Sequence, residues 1–253
     1  MKITVINGSP KGKDSNTNIM VTAFLKGAKR AGATTVNIFL AEKEIKHCLG
    51  CFSCWFVNPG QCVIKDDISD IIAQGEGTDI LILATPLKYA NISSMLKVFI
   101  ERMLVLCNPY FEITPIGIRH PKKIAAAEAQ SSFYRSKLVM MANGALSTRD
   151  HFQIISKWVN KLAFYNHTEV LGEIYAPQGL LLNTQDKELR PIIDNYLQLL
   201  EQAGQELVTM NRLSDQTAKS LEQNFIPTDI YVKQVNSLFD NLLDKLEHPY
   251  SRW

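Results

Sequence analysis

Lys2-Ile3-Thr4-Val5-Ile6-Asn7-Gly8-Ser9-Pro10-Lys11-Gly12-Lys13-Asp14-Ser15-Asn16-Thr17 lies at the start of the chain, and its two halves call for different surroundings. Ile3 to Ile6 is a short β-branched run, the pattern of a strand buried in a sheet. From about Asn16 the residues Ile19, Met20, Ala23, Phe24, Gly27 and Ala28 recur at three- and four-residue spacing, which predicts a helix. Gly32 is placed to stop it. The polar stretch in between is therefore a strand-to-helix loop. Such a loop presents unpaired backbone amides and the positive end of a helix, and so forms an anion site.

The rest of the chain repeats the alternation. Thr35 to Phe39 reads as a second strand and Ile80 to Ala84 as a third, ended by Thr85-Pro86. Lys137 to Ala142 reads as a fourth, stopping at Asn143-Gly144, and Val170 to Ala176 as a fifth. Asp66-Asp67 opens a helix through Ile68, Ile71 and Ile72, with carboxylates at its positive end. Ser93 or Ser94 caps another, carrying Met95, Leu96, Val98, Phe99, Met103 and Leu106. Phe152, Ile155, Trp158, Val159 and Leu162 form a third stripe. A long proline-rich connection runs from Cys107 to about Ser136, and within it Lys122 to Ala127 reads equally as strand or helix. Two stripes follow near the end: Ile192, Ile193, Tyr196, Leu197 and Leu200, then Val235, Leu238, Phe239, Leu242 and Leu246.

This alternation implies an α/β fold, a doubly wound parallel five-stranded sheet in the order 2-1-3-4-5 with extra C-terminal helices. Ligands in such folds bind beyond the carboxyl ends of the strands. The loops after strands one, three and four, which hold the unusual residues, lie there. The expected division is a sheet domain over residues 1–180 and a helical extension over 181–253, packed on the same domain or on a dimer partner.

Composition narrows the partners. The chain has 253 residues, 46% hydrophobic, with a net charge of +2 and its lysines and arginines scattered, so no nucleic acid is expected. The longest apolar runs are far too short to span a bilayer, and the N-terminal stretch lacks the apolar core of a leader. The expectation is a cytoplasmic protein with no membrane partner, in which clustered cysteines serve as metal ligands or redox groups rather than structural disulfides.

Three nucleotide loops compete for residues 8–17. The nucleoside-triphosphate loop requires Gly-x4-Gly-Lys-Ser/Thr, but Gly8 and Gly12 are one residue too close and Asp14 stands where the hydroxyl belongs. The dinucleotide fingerprint is absent. A flavin mononucleotide (FMN) loop, with hydroxyls and amides around one terminal phosphate, fits best. The competing reading is an ordinary capped helix start.

Gly8-Ser9-Pro10 followed by Ser15-Asn16-Thr17 resembles the first loop of the NADPH-dependent FMN reductases, which have a flavodoxin-like fold. Thr85-Pro86-Leu87-Lys88-Tyr89-Ala90-Asn91-Ile92-Ser93, with Leu96-Lys97-Val98-Phe99-Ile100-Glu101-Arg102 after it, resembles that family's second flavin loop and helix. The resemblance covers residues 1–107 and continues more weakly through Asn143-Gly144 and Gly172-Glu173-Ile174. It implies that Ser9, Ser15, Asn16 and Thr17 hold the phosphate, with Lys11 close by. It further implies that Pro86, Leu87, Lys88, Tyr89, Ala90, Asn91 and Ile92 border the isoalloxazine ring, and that Asn143 and Gly144 close its other side. The family often has an aromatic at position 88. Lys88 leaves stacking to Tyr89 or to a partner subunit, and at the N1/O2 edge its charge would stabilise a reduced, anionic flavin. A surface lysine is the competing reading.

Four of the five cysteines, Cys48, Cys51, Cys54 and Cys62, follow the pattern Cys-x2-Cys-x2-Cys-x7-Cys. Thiolates so spaced can wrap a cubane, whereas structural zinc more often takes two separated pairs. The spacing is similar to that of the iron–sulfur flavoproteins, a branch of the same family with a 4Fe–4S cluster near the FMN, though their last gap is usually shorter. That resemblance makes these four the ligands. Cluster-free members carry much the same loop, with thiols packed beside the flavin or at a dimer contact, and both readings stand open. Cys107 reads as structural, His47 as a loop residue, and His151 lies near the third loop. The function implied is FMN-dependent NAD(P)H oxidation, with electrons passed to a quinone-like, flavin or protein acceptor and no side-chain acid or base needed. The alternatives are an iron–sulfur electron carrier that does not use NAD(P)H directly, and a non-enzymatic nucleotide-binding module. A homo-oligomer, dimer or tetramer, is expected.

Overall fold

The computed structural model describes residues 1–121 and 132–244. Its strands are β1 (Lys2–Asn7), β2 (Thr34–Phe39), β3 (Ile80–Pro86), β4 (Glu112–Thr114), β5 (Gly117–Arg119), β6 (Lys137–Asn143) and β7 (Val170–Ala176). Its helices are α1 (Asn16–Arg30), α2 (Ser53–Phe56), α3 (Ile68–Gly75), α4 (Ser94–Arg102), α5 (Gln153–Tyr165), α6 (Arg190–Met210), α7 (Asp215–Leu221) and α8 (Thr228–Asp244). Five strands form one parallel sheet in the order β2-β1-β3-β6-β7. This is the anticipated order, since β6 and β7 are the fourth and fifth strands of the pattern.

Helices cover both faces of the sheet, which is why β3 is buried from Ile80 through Thr85 and its sequence is a continuous apolar run rather than an alternating one. On one face Leu83 and Met140 meet Ile71, Phe99 and Ile155 from α3, α4 and α5. On the other, Ile82 and Met141 meet Phe24 of α1 and Leu200 of α6. Helices α1 and α6 cross almost backbone to backbone. A Cβ on Gly27 would lie 1.7 Å from the carbonyl oxygen of Glu201, and one on Gly204 would lie 2.0 Å from that of Phe24.

Several local expectations change. The proline-rich connection contains the hairpin β4–β5, closed by Thr114 Oγ1 donating to the Gly117 carbonyl at 2.6 Å. Strands of three residues are too short to show a period. The cysteine segment includes one helical turn, α2. Ser93, not Ser94, caps α4, its hydroxyl accepting from the Leu96 amide at 3.2 Å. At the start of α3 it is Asp66 that accepts from the Ile68 amide, while Asp67 turns away to accept from the Glu44 amide. Phe152 sits in the turn before α5. On α8, Tyr231 is buried but Leu238, Phe239 and Leu242 are exposed: an amphipathic period specifies a face, not what covers it. Leu246 and Lys122 to Ala127 lie outside the described residues. Among the described residues no helix is long and apolar enough to cross a membrane.

Candidate functional site

The first turn of α1 is built by Ser15. Its hydroxyl donates to the Gly12 carbonyl at 2.7 Å and accepts from the Asn18 amide at 3.0 Å, so Ser15 is the N-cap. The amides of Asn16 and Thr17 have no hydrogen-bond partner among the described residues. The side chains of those two residues instead tie loops together. Asn16 Nδ2 donates to the Gly179 carbonyl at 2.6 Å, and Thr17 Oγ1 accepts from Asn143 Nδ2 at 2.7 Å. Gly8 lies against α4, where a Cβ would fall 2.7 Å from that of Leu96, and its carbonyl accepts from Ser93 Oγ at 2.6 Å.

The loop after β3 makes a tight reversal. Lys88 N donates to the Asn91 carbonyl at 2.8 Å and Asn91 N to the Lys88 carbonyl at 3.0 Å. The two residues between, Tyr89 (φ 46°) and Ala90 (φ 64°), are both left-handed, the backbone of a two-residue hairpin turn that normally takes Asn-Gly. Tyr89 is fully exposed at its tip. The loop after β6 joins the arrangement through Leu87 N, which donates to the Asn143 carbonyl at 2.7 Å.

These loops meet around a cavity of about 290 Å³. Ser9, Lys11, Ser15, Asn16 and Thr17 line one side, and Pro86, Leu87, Lys88, Asn143 and Gly144 line the other. Lys88 also borders a second cavity of about 520 Å³, with Tyr89, Asn91 and Ile92; Ala90 lines neither. The sequence reading did not pick out Asp14, Ala145, Leu180 and Asn183, which also line the first cavity. Nor did it find Gln178, fully buried with φ 57°. Gln178 Nε2 donates to Ser147 Oγ and to the Ile226 carbonyl, and its Oε1 accepts from the amides of Phe225 and Ile226. Gly179 N donates to the Gly144 carbonyl at 2.7 Å, and the Tyr231 hydroxyl donates to the Ala145 carbonyl. The C-terminal segment is thus fastened to the loop after β6. The one sequence signal was Pro177-Gln178-Gly179, a turn directly after a strand.

The donor set suits a phosphorylated, flat-ringed group. Free amides at a helix N-terminus, the Ser9 hydroxyl and the Lys11 ammonium favour an anion. Asn7, two residues before Ser9, is fully buried with its Nδ2 unpartnered among the described residues, and it does not line the cavity. Pro86 and Leu87 give an apolar wall, and Gly144 leaves space beside it, since a Cβ there would come 3.1 Å from Leu87. Asp14 is the one carboxylate lining the cavity.

The cysteines lie elsewhere. All five are free thiols, with Cys51 exposed and the others partly buried. Arg102 and Asp66 form an ion pair screened from solvent, with contacts of 2.5 and 3.1 Å. Arg102 also donates to the Lys46 carbonyl at 2.7 Å and to Cys62 Sγ at 3.3 Å. Burial pushes Asp66 up, but the hydrogen bonds from Arg102 and the amides of Lys46 and Ile68 outweigh it and hold the carboxyl below its ordinary range. Burial, reinforced by the neighbouring thiols, pushes Cys54 up, whereas hydrogen bonds from Ser53 lower Cys51. Among the described residues no group of three or more His, Cys, Asp or Glu side chains could hold a metal ion. Cys107 and Cys48 line a separate, mainly apolar cavity of about 440 Å³ beneath the cysteine loop. His47 is exposed, and His151 lies in the turn before α5 and lines neither of the two cavities above.

Comparison with known proteins agrees with this geometry. A family model described as NADPH-dependent FMN reductase matches residues 1–173. An iron–sulfur flavoprotein of Archaeoglobus fulgidus is 36% identical over 104 residues, 41% of this chain and 46% of that protein. One of Methanosarcina thermophila is 33% identical over 113 residues, 45% and 58% of the two. The chain therefore spans about half the length of the relatives it matches. Among solved structures, the FMN-dependent NADH-azoreductase of Bacillus anthracis in complex with FMN superposes with a TM-score of 0.56 at 18% identity, covering 82% of this chain and 99% of that one. The NAD(P)H:quinone oxidoreductase of Methanothermobacter marburgensis does so with 0.56 at 15% identity, covering 82% and 96%. At these identities the likeness establishes the flavodoxin-like fold.

Proposed function

This chain belongs to the NADPH-dependent FMN reductase family, and on that premise we propose that it is an FMN-dependent NAD(P)H oxidoreductase passing electrons to a quinone-like, flavin or protein acceptor. One observation carries the reading: the loops after β1, β3 and β6, remote in sequence, line a single cavity at the carboxyl ends of the sheet. Bound there, FMN would supply hydride acceptance from the nicotinamide and release of electrons singly or in pairs.

The chain supplies the surroundings. The amides of Asn16 and Thr17, the Ser9 hydroxyl and Lys11 receive the anionic tail. Ser15 holds the helix start in place and so acts on the tail through α1. Thr17 and Asn143, bonded to each other, fix the spacing between the tail's loop and the ring's loop. Pro86, Leu87 and Gly144 keep water from one side of the ring, while Tyr89, Asn91 and Ile92 form the shelf beyond Lys88. A lysine at that border favours negative charge on the reduced ring. No side chain is needed as acid or base.

The test is titration of purified chain with FMN, followed by NADH or NADPH oxidation with a quinone acceptor. Tight binding, a flavin spectrum and turnover support the proposal. A chain that stays colourless and leaves FMN fluorescence unquenched rejects it and favours a nucleotide-binding module. The relatives' names and the cysteine spacing support a second reading, an iron–sulfur carrier that does not use nicotinamide. Iron and sulfide analysis of anaerobically purified protein decides it, with about four of each per chain expected for a cluster held by thiolates.

A further inference from the structure

Three charged side chains line the cavity between the loops after β1, β3 and β6: Lys11, Asp14 and Lys88. None of the three forms an ion pair or a side-chain hydrogen bond among the described residues. Lys11 does not pair with Asp14, although both belong to one loop. Lys13, the residue before Asp14, turns away instead. Its Nζ lies 3.0 Å from Glu42 Oε1 and 5.7 Å from the centre of the Phe39 ring. The loop therefore spends one cation elsewhere and leaves a bare carboxylate on the cavity wall.

The backbone fixes where that carboxylate stands. Gly12–Asp14 is a single tight turn, in which Gly12 N donates to the Ser9 carbonyl at 3.0 Å and Asp14 N to the Lys11 carbonyl at 3.2 Å. Ser15 then caps α1. Asp14 thus precedes the cap directly, two and three residues ahead of the free amides of Asn16 and Thr17.

We propose that Asp14 makes this cavity select the singly protonated form of a phosphate monoester. The inference rests on the flavin reading and adds to it the ionic form in which the tail is received. The amides of Asn16 and Thr17 and the Lys11 ammonium are donors, and donors accept a dianion as readily as a monoanion. A carboxylate has only acceptors to offer. It repels a dianion, but it accepts a hydrogen bond from the P–OH of a monoanion, and a bond to an ionised acceptor is of the stronger kind. A phosphate ester loses its second proton near about pH 6, where a carboxylate is ionised and a lysine is charged. The loop after β1 brings Lys11 and Asp14 to the cavity and the loop after β3 brings Lys88. The loop after β6 and the segment holding Leu180 and Asn183 bring no charge, and no histidine lines it. The phosphate is then the group whose charge changes near neutral pH, and Asp14 is the group that reads the change.

Fluorescence titration of the purified chain with FMN, and in parallel with riboflavin, which lacks the phosphate, tests the inference. Wild type should bind FMN about tenfold more tightly at about pH 5.5 than at about pH 7.5, because the ester passes from mainly dianion to mainly monoanion over that interval. Riboflavin affinity should change less than about twofold, since it has no such proton to gain. Asp14→Asn keeps the size and puts a donor in place of one acceptor. It should bind FMN more tightly than wild type at the higher pH and lose the pH dependence. Wild-type FMN binding that fails to tighten as pH falls overturns the inference and leaves the flavin reading standing. So does a pH dependence that persists in Asp14→Asn or that riboflavin shares. A chain that binds neither flavin at either pH sinks the flavin reading, and the inference with it. Should Asp14→Asn misfold, competition on the wild type decides. At about pH 6 inorganic phosphate, which still carries a proton, should displace FMN at a concentration about fivefold or more below that of sulfate, which does not. Phosphate that displaces no better than sulfate overturns the inference.

Discussion

At the scale of single residues, the buried Arg102–Asp66 pair makes a prediction with a definite sign. Asp66 titrates below its ordinary value of 3.8 in the folded chain. The stability it contributes is therefore present above that value and lost as pH falls through the lower, folded one. Wild type should lose stability steeply below about pH 4, and Asp66→Asn should lose less over the same interval, as read from urea midpoints against pH. Arg102→Met, which strands the carboxylate, should cost about 3–5 kcal/mol at neutral pH; a loss below about 1 kcal/mol would mean that the pair is no more than a surface contact. Lys88 is tested by potential rather than stability. Lys88→Met should make the bound flavin harder to reduce, and an unchanged midpoint potential would return Lys88 to the status of a surface lysine. At the turn, replacing Tyr89-Ala90 with Asn-Gly should relieve about 1–2 kcal/mol per left-handed residue, measurable as a raised melting temperature.

At the scale of elements, Ser93 joins the loops after β1 and β3. Its hydroxyl caps α4 and also donates to the Gly8 carbonyl, so Ser93→Ala should cost about 1–2 kcal/mol and weaken FMN binding together with stability. The elements around it were legible because each follows a strong local rule: β3 is a pure apolar run, α1 has a clean helical period, and Gly32 (φ 92°) stands just past its end. The loops after β1, β3 and β6 could be anticipated from Asn7-Gly8, Thr85-Pro86 and Asn143-Gly144. The loop after β7 could not. Its contribution comes through Gln178, whose partners Ser147 and Ile226 lie 31 and 48 residues away, and no local pattern encodes such a bond. The hairpin β4–β5 escaped notice because its alternation was inverted relative to a normal surface hairpin as well as being very short. The α8 stripe was visible, but nothing in the stripe itself says that the helix leaves the body of the protein after its first turns.

For the molecule as a whole, the C-terminal helices are not an appendage to the sheet. α6 fills one of the two cores, and Tyr231 at the start of α8 reaches the loop after β6. Gly27→Ala should therefore damage the entire fold, since its methyl group would collide with the main chain of α6, and a loss above about 3 kcal/mol is expected from such overpacking, checked by urea denaturation. The glycine crossing has a further effect. Helix α1, whose free amides would face the tail, cannot slide along α6, and the C-terminal segment running on from α6 is bolted to the loop that would face the ring. The distance from mooring to shelf is therefore set like a ruler, and with FMN seated as proposed the site would gauge the length of the polyol that spans it: flavin analogues with a shortened chain should be refused even though both of their ends are chemically correct.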